Sequence, residues 1–179
     1  IMTQKDLKSS SAQPYVFLGL FTAFAALMLA NPVLPPLARK LGISEIETGI
    51  IISVSALMLT IVSPLWGSLS ERIGRKKVFV TGIFGLAIGM ALFAGAAHLG
   101  LNNIVWGQNL LILLIGTRLI VGLMIAAVPV SAQAYMADIT DADNRSAGMA
   151  VIGAANGLGT LIGPAIGALL VTFGLLMPF

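Results

Sequence analysis

The sequence has no cysteine, a single histidine (His98) and few charges: ten Lys and Arg and seven Asp and Glu in 179 residues, or 9% of the chain. Each scarcity excludes something. Without cysteine there is no disulfide framework, no thiolate nucleophile and no Cys-ligated metal. With one histidine, no multi-His metal cluster forms within the chain. A soluble domain is about 25% charged. Here 58% of residues are hydrophobic and mean hydropathy is +0.99, more apolar surface than a core of this size could hide from water. A soluble enzyme, a secreted disulfide scaffold and a disordered chain are thereby excluded. An integral membrane protein remains. The net charge of +3 suits loops facing an acidic membrane surface. No basic patch with interleaved aromatics argues for a nucleic-acid partner.

A helix crossing about 30 Å of hydrocarbon needs about 20 mostly apolar residues. Five stretches qualify: residues 15–37, 47–66, 78–97, 106–137 and 146–173. None alternates with period two, so the fold is all-α, with five transmembrane helices. The first stretch is too long, and lacks the small-residue cleavage site, for a removable signal peptide. Lys5, Lys8, Arg72, Arg75, Lys76, Lys77 and Arg145 fall on one side of the membrane if the spans alternate, and only Arg39 and Lys40 on the other. By the positive-inside rule the first side is cytoplasmic. Residues 1–14 are then a cytoplasmic tail and residues 15–179 a transmembrane bundle whose fifth helix ends outside. Ile1 precedes Met2, and residues 175–179 give that helix no polar tail. The expectation is the front part of a longer transporter. No internal repeat would let five helices close a symmetric pore.

The most informative stretch joins the second and third spans: Gly67-Ser68-Leu69-Ser70-Glu71-Arg72-Ile73-Gly74-Arg75-Lys76-Lys77. Gly67 would let a helix end approach its neighbour, and Gly74 can take the positive φ of a tight turn. Glu71 is an anion among cations and could face a helix N-terminus. A topogenic basic loop would explain the charges alone, though not their ordered spacing with glycines. The stretch resembles the signature loop of the major facilitator superfamily, between its second and third helices, with Glu71 in place of the usual Asp. The resemblance implies a cytoplasmic latch between two transporter halves. Glu71 would pair with cations and a helix N-terminus of the other half, and Arg75 with Asp138 at the end of the fourth helix.

The fourth span carries the one charge deep in the membrane, Arg118. It lies roughly 18 Å past Trp106, near the midplane. Such an arginine costs several kcal/mol unless it faces water or an anion. Gly122, Ala126, Pro129 and Gln133 fall within about 80° of it on a helical wheel. This small and polar arc suits a cavity wall or a close helix contact. A structural brace bonded to nearby carbonyls is the alternative to a functional charge. The spacing of Arg118 and Gly122 resembles the family's fourth-helix motif, associated with proton coupling.

The fifth span holds Gly153, Gly157, Gly159, Gly163 and Gly167, which span about 160° with Asn156 and Thr160 among them. Small residues let helices meet closely in lipid, and Pro164 would loosen the helix. Generic tight packing would explain a lone GxxxG. The run Gly159, Gly163, Pro164 and Gly167, with Ala168 in place of a second terminal glycine, resembles the fifth-helix motif of the antiporter branch, particularly drug:proton antiporters. There the glycine face meets the other half. Asn31, Pro32, Pro35 and Pro36 are similar to the branch's first-helix pattern, although helix termination explains the prolines equally well. Residues 134–138, followed by Arg145 and Gly148, are similar to its loop between helices four and five.

All seven acids, Asp6, Glu45, Glu47, Glu71, Asp138, Asp141 and Asp143, lie near or beyond the membrane edges. No mid-span acid is present to carry a proton, and a buried arginine without a buried acid favours an anionic or carboxylate-bearing substrate. His98 reads as interfacial, with a pH sensor as the alternative. Trp66 and Trp106 read as interfacial anchors, and the scattered methionines as core filler. No nucleophile–base or metal constellation can be assembled, so no enzyme activity and no cofactor are expected. The resemblance implies a proton-coupled efflux antiporter of the bacterial inner membrane, working by alternating access on a small organic molecule. Its partners would be protons, the bilayer and a missing C-terminal half. Arg118 would bind substrate or organise coupling, with Asn31, Gln133 and Asn156 around the cavity. A uniporter or symporter of the same superfamily, or a truncated non-transporting membrane subunit, are the alternatives.

Overall fold

The computed structural model describes residues 4–141, 144–174 and 176–179, the first nine of these by backbone alone. Lys5, Asp6 and Lys8 lie outside the residues whose side chains are described, and Asp143 outside the described residues. Among the described residues six helices follow in order: α1 (Gln4–Leu29), α2 (Leu34–Lys40), α3 (Glu45–Ile73), α4 (Arg75–Leu101), α5 (Gly107–Ile139) and α6 (Arg145–Val171). No strand occurs among the described residues. Among the described residues five helical stretches are long and apolar enough to cross a membrane, the first being Gln13–Lys40, which joins the end of α1 to α2.

The first span is therefore broken rather than continuous. Asn31 N–H donates to the Met28 carbonyl, and Val33 and Leu34 N–H both donate to that of Ala30. Pro35 then sits in the first turn of α2, where its missing N–H costs no hydrogen bond. The prolines thus end one helix and start another.

The expected loop at residues 67–77 is also shorter than its sequence suggests. α3 runs on to Ile73 and α4 begins at Arg75, so one residue joins helices of 29 and 27 residues. Helix continues past the apolar run because its polar groups are satisfied locally. Ser68 and Ser70 hydroxyls donate to the Leu65 and Gly67 carbonyls. Gly74 makes the reversal at φ +102°, a conformation an L side chain rarely adopts. At its other end α3 opens with a capping box, Ser44 and Glu47 bonding each other's backbone N–H.

The helices are apolar on all sides, which suits burial in lipid. Ile50, Leu57, Leu65, Phe84, Ile88, Leu161 and Leu169 all point outward. Interior packing rests on small residues. α5 is the most buried span and lies along α4 and α3, while α1 lies along α6. On α4, Gly82 and Gly89 face Val128 and Val121 of α5; on α5, Gly122 faces the Ser55 carbonyl of α3. The long core runs through Leu20, Leu86, Val121, Ile125, Val128, Met136 and Ile152. A second core near α2 gathers Leu34, Leu37, Ile51, Phe93, Leu110 and Leu114.

Candidate functional site

Arg118 is the twelfth of the 33 residues of α5, about 16 Å along the helix from Gly107. Only 2% of it is exposed. Its Cζ lies over the Phe93 ring of α4, 4.2 Å from the centroid. That contact is a desolvated cation–π pair, the class worth most. Phe179 packs on the same ring, centroids 5.0 Å apart. Nε and Nη2 of Arg118 make no hydrogen bond, so neighbouring carbonyls do not brace this edge of the guanidinium. Next to it, the Ser55 hydroxyl donates to the Arg118 carbonyl at 3.1 Å. A Cβ on Gly122 would sit 2.6 Å from the Ser55 carbonyl oxygen. α3 and α5 are thus in backbone contact one turn from the charge, and the arc of Gly122, Ala126 and Pro129 is a packed helix contact.

The other polar candidates are Gln133, Asn31 and Asn156. Gln133 is exposed and lies 15 residues further along α5, roughly 22 Å away by helix rise. Asn31 is half-buried in the break after α1, its amide on the Met28 sulfur at 3.3 Å. Asn156 of α6 keeps a buried Oδ1 without a hydrogen-bond partner. Phe93 and Ser55 were not legible as site residues: nothing in the sequence separates Phe93 from the other seven phenylalanines.

At the Gly74 end, Arg75 is the hub. Its Nε donates to Asp138 Oδ2 at 3.1 Å and its Nη1 to the Ser70 hydroxyl at 2.6 Å. Glu71 Oε1 stands 3.6 Å from Nη2. The residue thereby ties the ends of α3, α4 and α5 together. Arg72 and Arg145 are exposed and make no ion pair among the described residues. Gly67 lies within α3, where a Cβ would make an ordinary contact with Val130 at 3.6 Å. Trp66, expected as an interfacial anchor, is half-buried and donates from its indole to the Leu123 carbonyl at 2.7 Å. Trp106 is 71% exposed.

The glycines of α6 divide into two sets, which corrects the expectation of one face turned to another half. Gly159, Gly163 and Gly167 are buried against α1. A Cβ on Gly159 or Gly163 would come within 2.8 Å of the Phe21 or Ala25 carbonyl oxygen, and one on Gly167 would run into that of Leu29. Gly153 and Gly157 have nothing within 4 Å. The cause is the helical wheel: the first three lie within about 80° of each other, and the open pair continues the arc beyond them. Pro164 is half-buried beside Gly163, inside the helix.

The family model of the Major Facilitator Superfamily matches residues 16–179. The chain belongs to that superfamily. It is 28% identical over 176 residues to multidrug resistance protein 2 of Bacillus subtilis, covering 96% of this chain and 41% of the relative. It is 33% identical over 177 residues to the class C tetracycline resistance protein of Escherichia coli, covering 97% and 41%. It is 25% identical over 164 residues to the quinolone resistance protein NorA of Staphylococcus aureus, covering 92% and 39%. The chain spans about two fifths of the length of these curated relatives. Its five spans are those of a multi-pass major-facilitator membrane protein.

Proposed function

We propose that this chain belongs to a proton-coupled antiporter that exports a small organic molecule by alternating access. The observation that carries the reading is Arg118, a charge almost wholly removed from water in the most buried span, with two donors unspent. Intramembrane charge is costly and is retained for a task. The relatives' names support efflux of small organic compounds. In this reading Arg118 holds substrate or organises coupling, and Asn31, Gln133 and Asn156 contribute polar contacts around the cavity. Residues 1–14 and the Gly74 end face the cytoplasm across the bacterial inner membrane. Glu71 and Arg75 latch this bundle to a second one.

The test is uptake of tetracycline, and in parallel of a quinolone, into everted membrane vesicles carrying the full-length protein. Uptake should require an imposed proton gradient, stop with a protonophore, and stop in Arg118→Gln. Uptake that survives the protonophore would instead favour a uniporter. Binding without uptake would favour a non-transporting subunit.

A further inference from the structure

α1 and α4 both pack on α5 but barely meet each other. Near the Gly74 end this leaves a cavity of about 350 Å³ between the three helices. Tyr15 lines it from α1, Arg75, Lys76, Phe79 and Val80 from α4, and Tyr135 from α5. Further along, the Phe79 ring lies on Gly19 of α1, where a Cβ would stand 2.5 Å from its Cζ, and shuts the groove. The volume is at the small end of the range for ligand pockets, about 300–1,000 Å³.

The lining is ordered by depth. Arg75 and Lys76 open α4, and Phe79 and Val80 follow about 6 Å along it. Tyr15 stands where the first apolar stretch begins. Cations therefore sit at the membrane edge with apolar side chains beneath them. Arg75 is already held by Asp138 and Ser70. Lys76 is exposed and makes no ion pair among the described residues. Interfacial tyrosines anchor a helix without any concavity, so the belt role does not account for the cavity.

We propose that this cavity binds one anionic phospholipid, with the phosphate on Lys76 and the acyl chains leaving over Val80, which is 40% exposed. Such a lipid presents the same vertical order as the lining, charge at the surface and hydrocarbon below. The tyrosine hydroxyls are donors suited to phosphate or glycerol oxygens. A free phosphate would match the cations and leave the apolar wall unused. A packed helix would bury the Lys76 ammonium, which is costly without an acid opposite it.

The experiment melts the full-length protein in detergent against added phosphatidylglycerol, phosphatidylcholine of the same chain length, or inorganic phosphate. The shift against concentration gives Kd for each. Phosphatidylglycerol should raise the melting temperature saturably and bind at least tenfold tighter than phosphatidylcholine, and inorganic phosphate should have no effect. Lys76→Gln should raise the phosphatidylglycerol Kd at least fivefold and Lys76→Arg should keep it. Lys77→Gln, one residue on and outside the cavity, should change it less than twofold. Equal losses in Lys76→Gln and Lys77→Gln would overturn the site in favour of diffuse attraction to a basic surface. Saturation by inorganic phosphate alone would make it an anion site. Phosphatidylglycerol that is inert, or no better than phosphatidylcholine, would overturn the proposal and favour another helix of the full-length protein in the groove. The readout is binding, so it stands or falls apart from the transport reading.

Discussion

Arg75 of α4 and Asp138 of α5, 63 positions apart in sequence, meet at 3.1 Å where their helices end. Asp138 is 56% exposed at its side chain, so water screens the pair. Exposed pairs of this kind contribute about 0.2–1 kcal/mol. Asp138→Asn should therefore lower the unfolding free energy by no more than about 1 kcal/mol and leave membrane insertion intact. Transport should fall much further than stability does. Thermal melting beside vesicle flux checks both, and the reversed pair Arg75→Asp with Asp138→Arg should recover flux in part. A melting temperature that collapses in Asp138→Asn would assign the pair to folding instead.

The reversal at Gly74 was legible because local chemistry writes it, whereas the Arg75–Asp138 contact, 63 positions apart, was expected only from the resemblance of residues 67–77 to the superfamily's signature loop. A glycine between polar, charged residues marks a turn. The span count was equally plain, since hydrophobic length is a local property. What could not be read is which side of each helix meets which neighbour. These helices are apolar all round, so periodicity does not distinguish lipid from protein. Hence the five glycines of α6 read as one face, although α1 takes three and leaves two open. Trp66 read as an anchor because the carbonyl it bonds, on Leu123, lies 57 positions away. The Phe93 ring under Arg118 is hidden for the same reason.

The glycine division predicts opposite outcomes for one chemical change. Gly163→Ala puts a methyl 2.8 Å from the Ala25 carbonyl oxygen, where neither backbone can yield without parting α1 from α6. A loss of about 1–3 kcal/mol is expected, as for other overpacked sites. Gly157→Ala meets nothing within 4 Å and gains helix propensity of roughly 0.5–1 kcal/mol. Steric trapping or thermal melting in lipid should show the first variant destabilised and the second unchanged or firmer. Equal losses would mean that α6 does not sit on α1 in this register.

Trp66 offers a test of the α3–α5 contact. Its indole N–H donates to the Leu123 carbonyl, and Trp66→Phe keeps much of the ring while removing the donor. A typical hydrogen bond contributes about 0.5–1.5 kcal/mol net, so stability should fall by about that much. Trp106, mostly exposed, should tolerate phenylalanine without loss. Fluorescence of the single-tryptophan proteins separates the two, with Trp66 shielded from an aqueous quencher and Trp106 open to it.

Glu71 makes the sharpest test of the latch. It sits four residues before Arg75 with its carboxylate at 3.6 Å, and 69% of its side chain is exposed. Arg75 already has stronger partners in Asp138 and Ser70. Within this bundle Glu71 therefore has little to do, and Glu71→Gln should leave folding and insertion unchanged. If its charge holds a second bundle, the same variant should lose most of its flux, because the glutamine keeps the reach and removes the sign. Glu71→Asp restores the acid usual in the superfamily and should transport at least as well as the native chain. Flux measured in vesicles with matched protein content decides the matter. Native flux in Glu71→Gln would reduce the acid to a helix-surface charge, and the basic residues around it to topogenic markers.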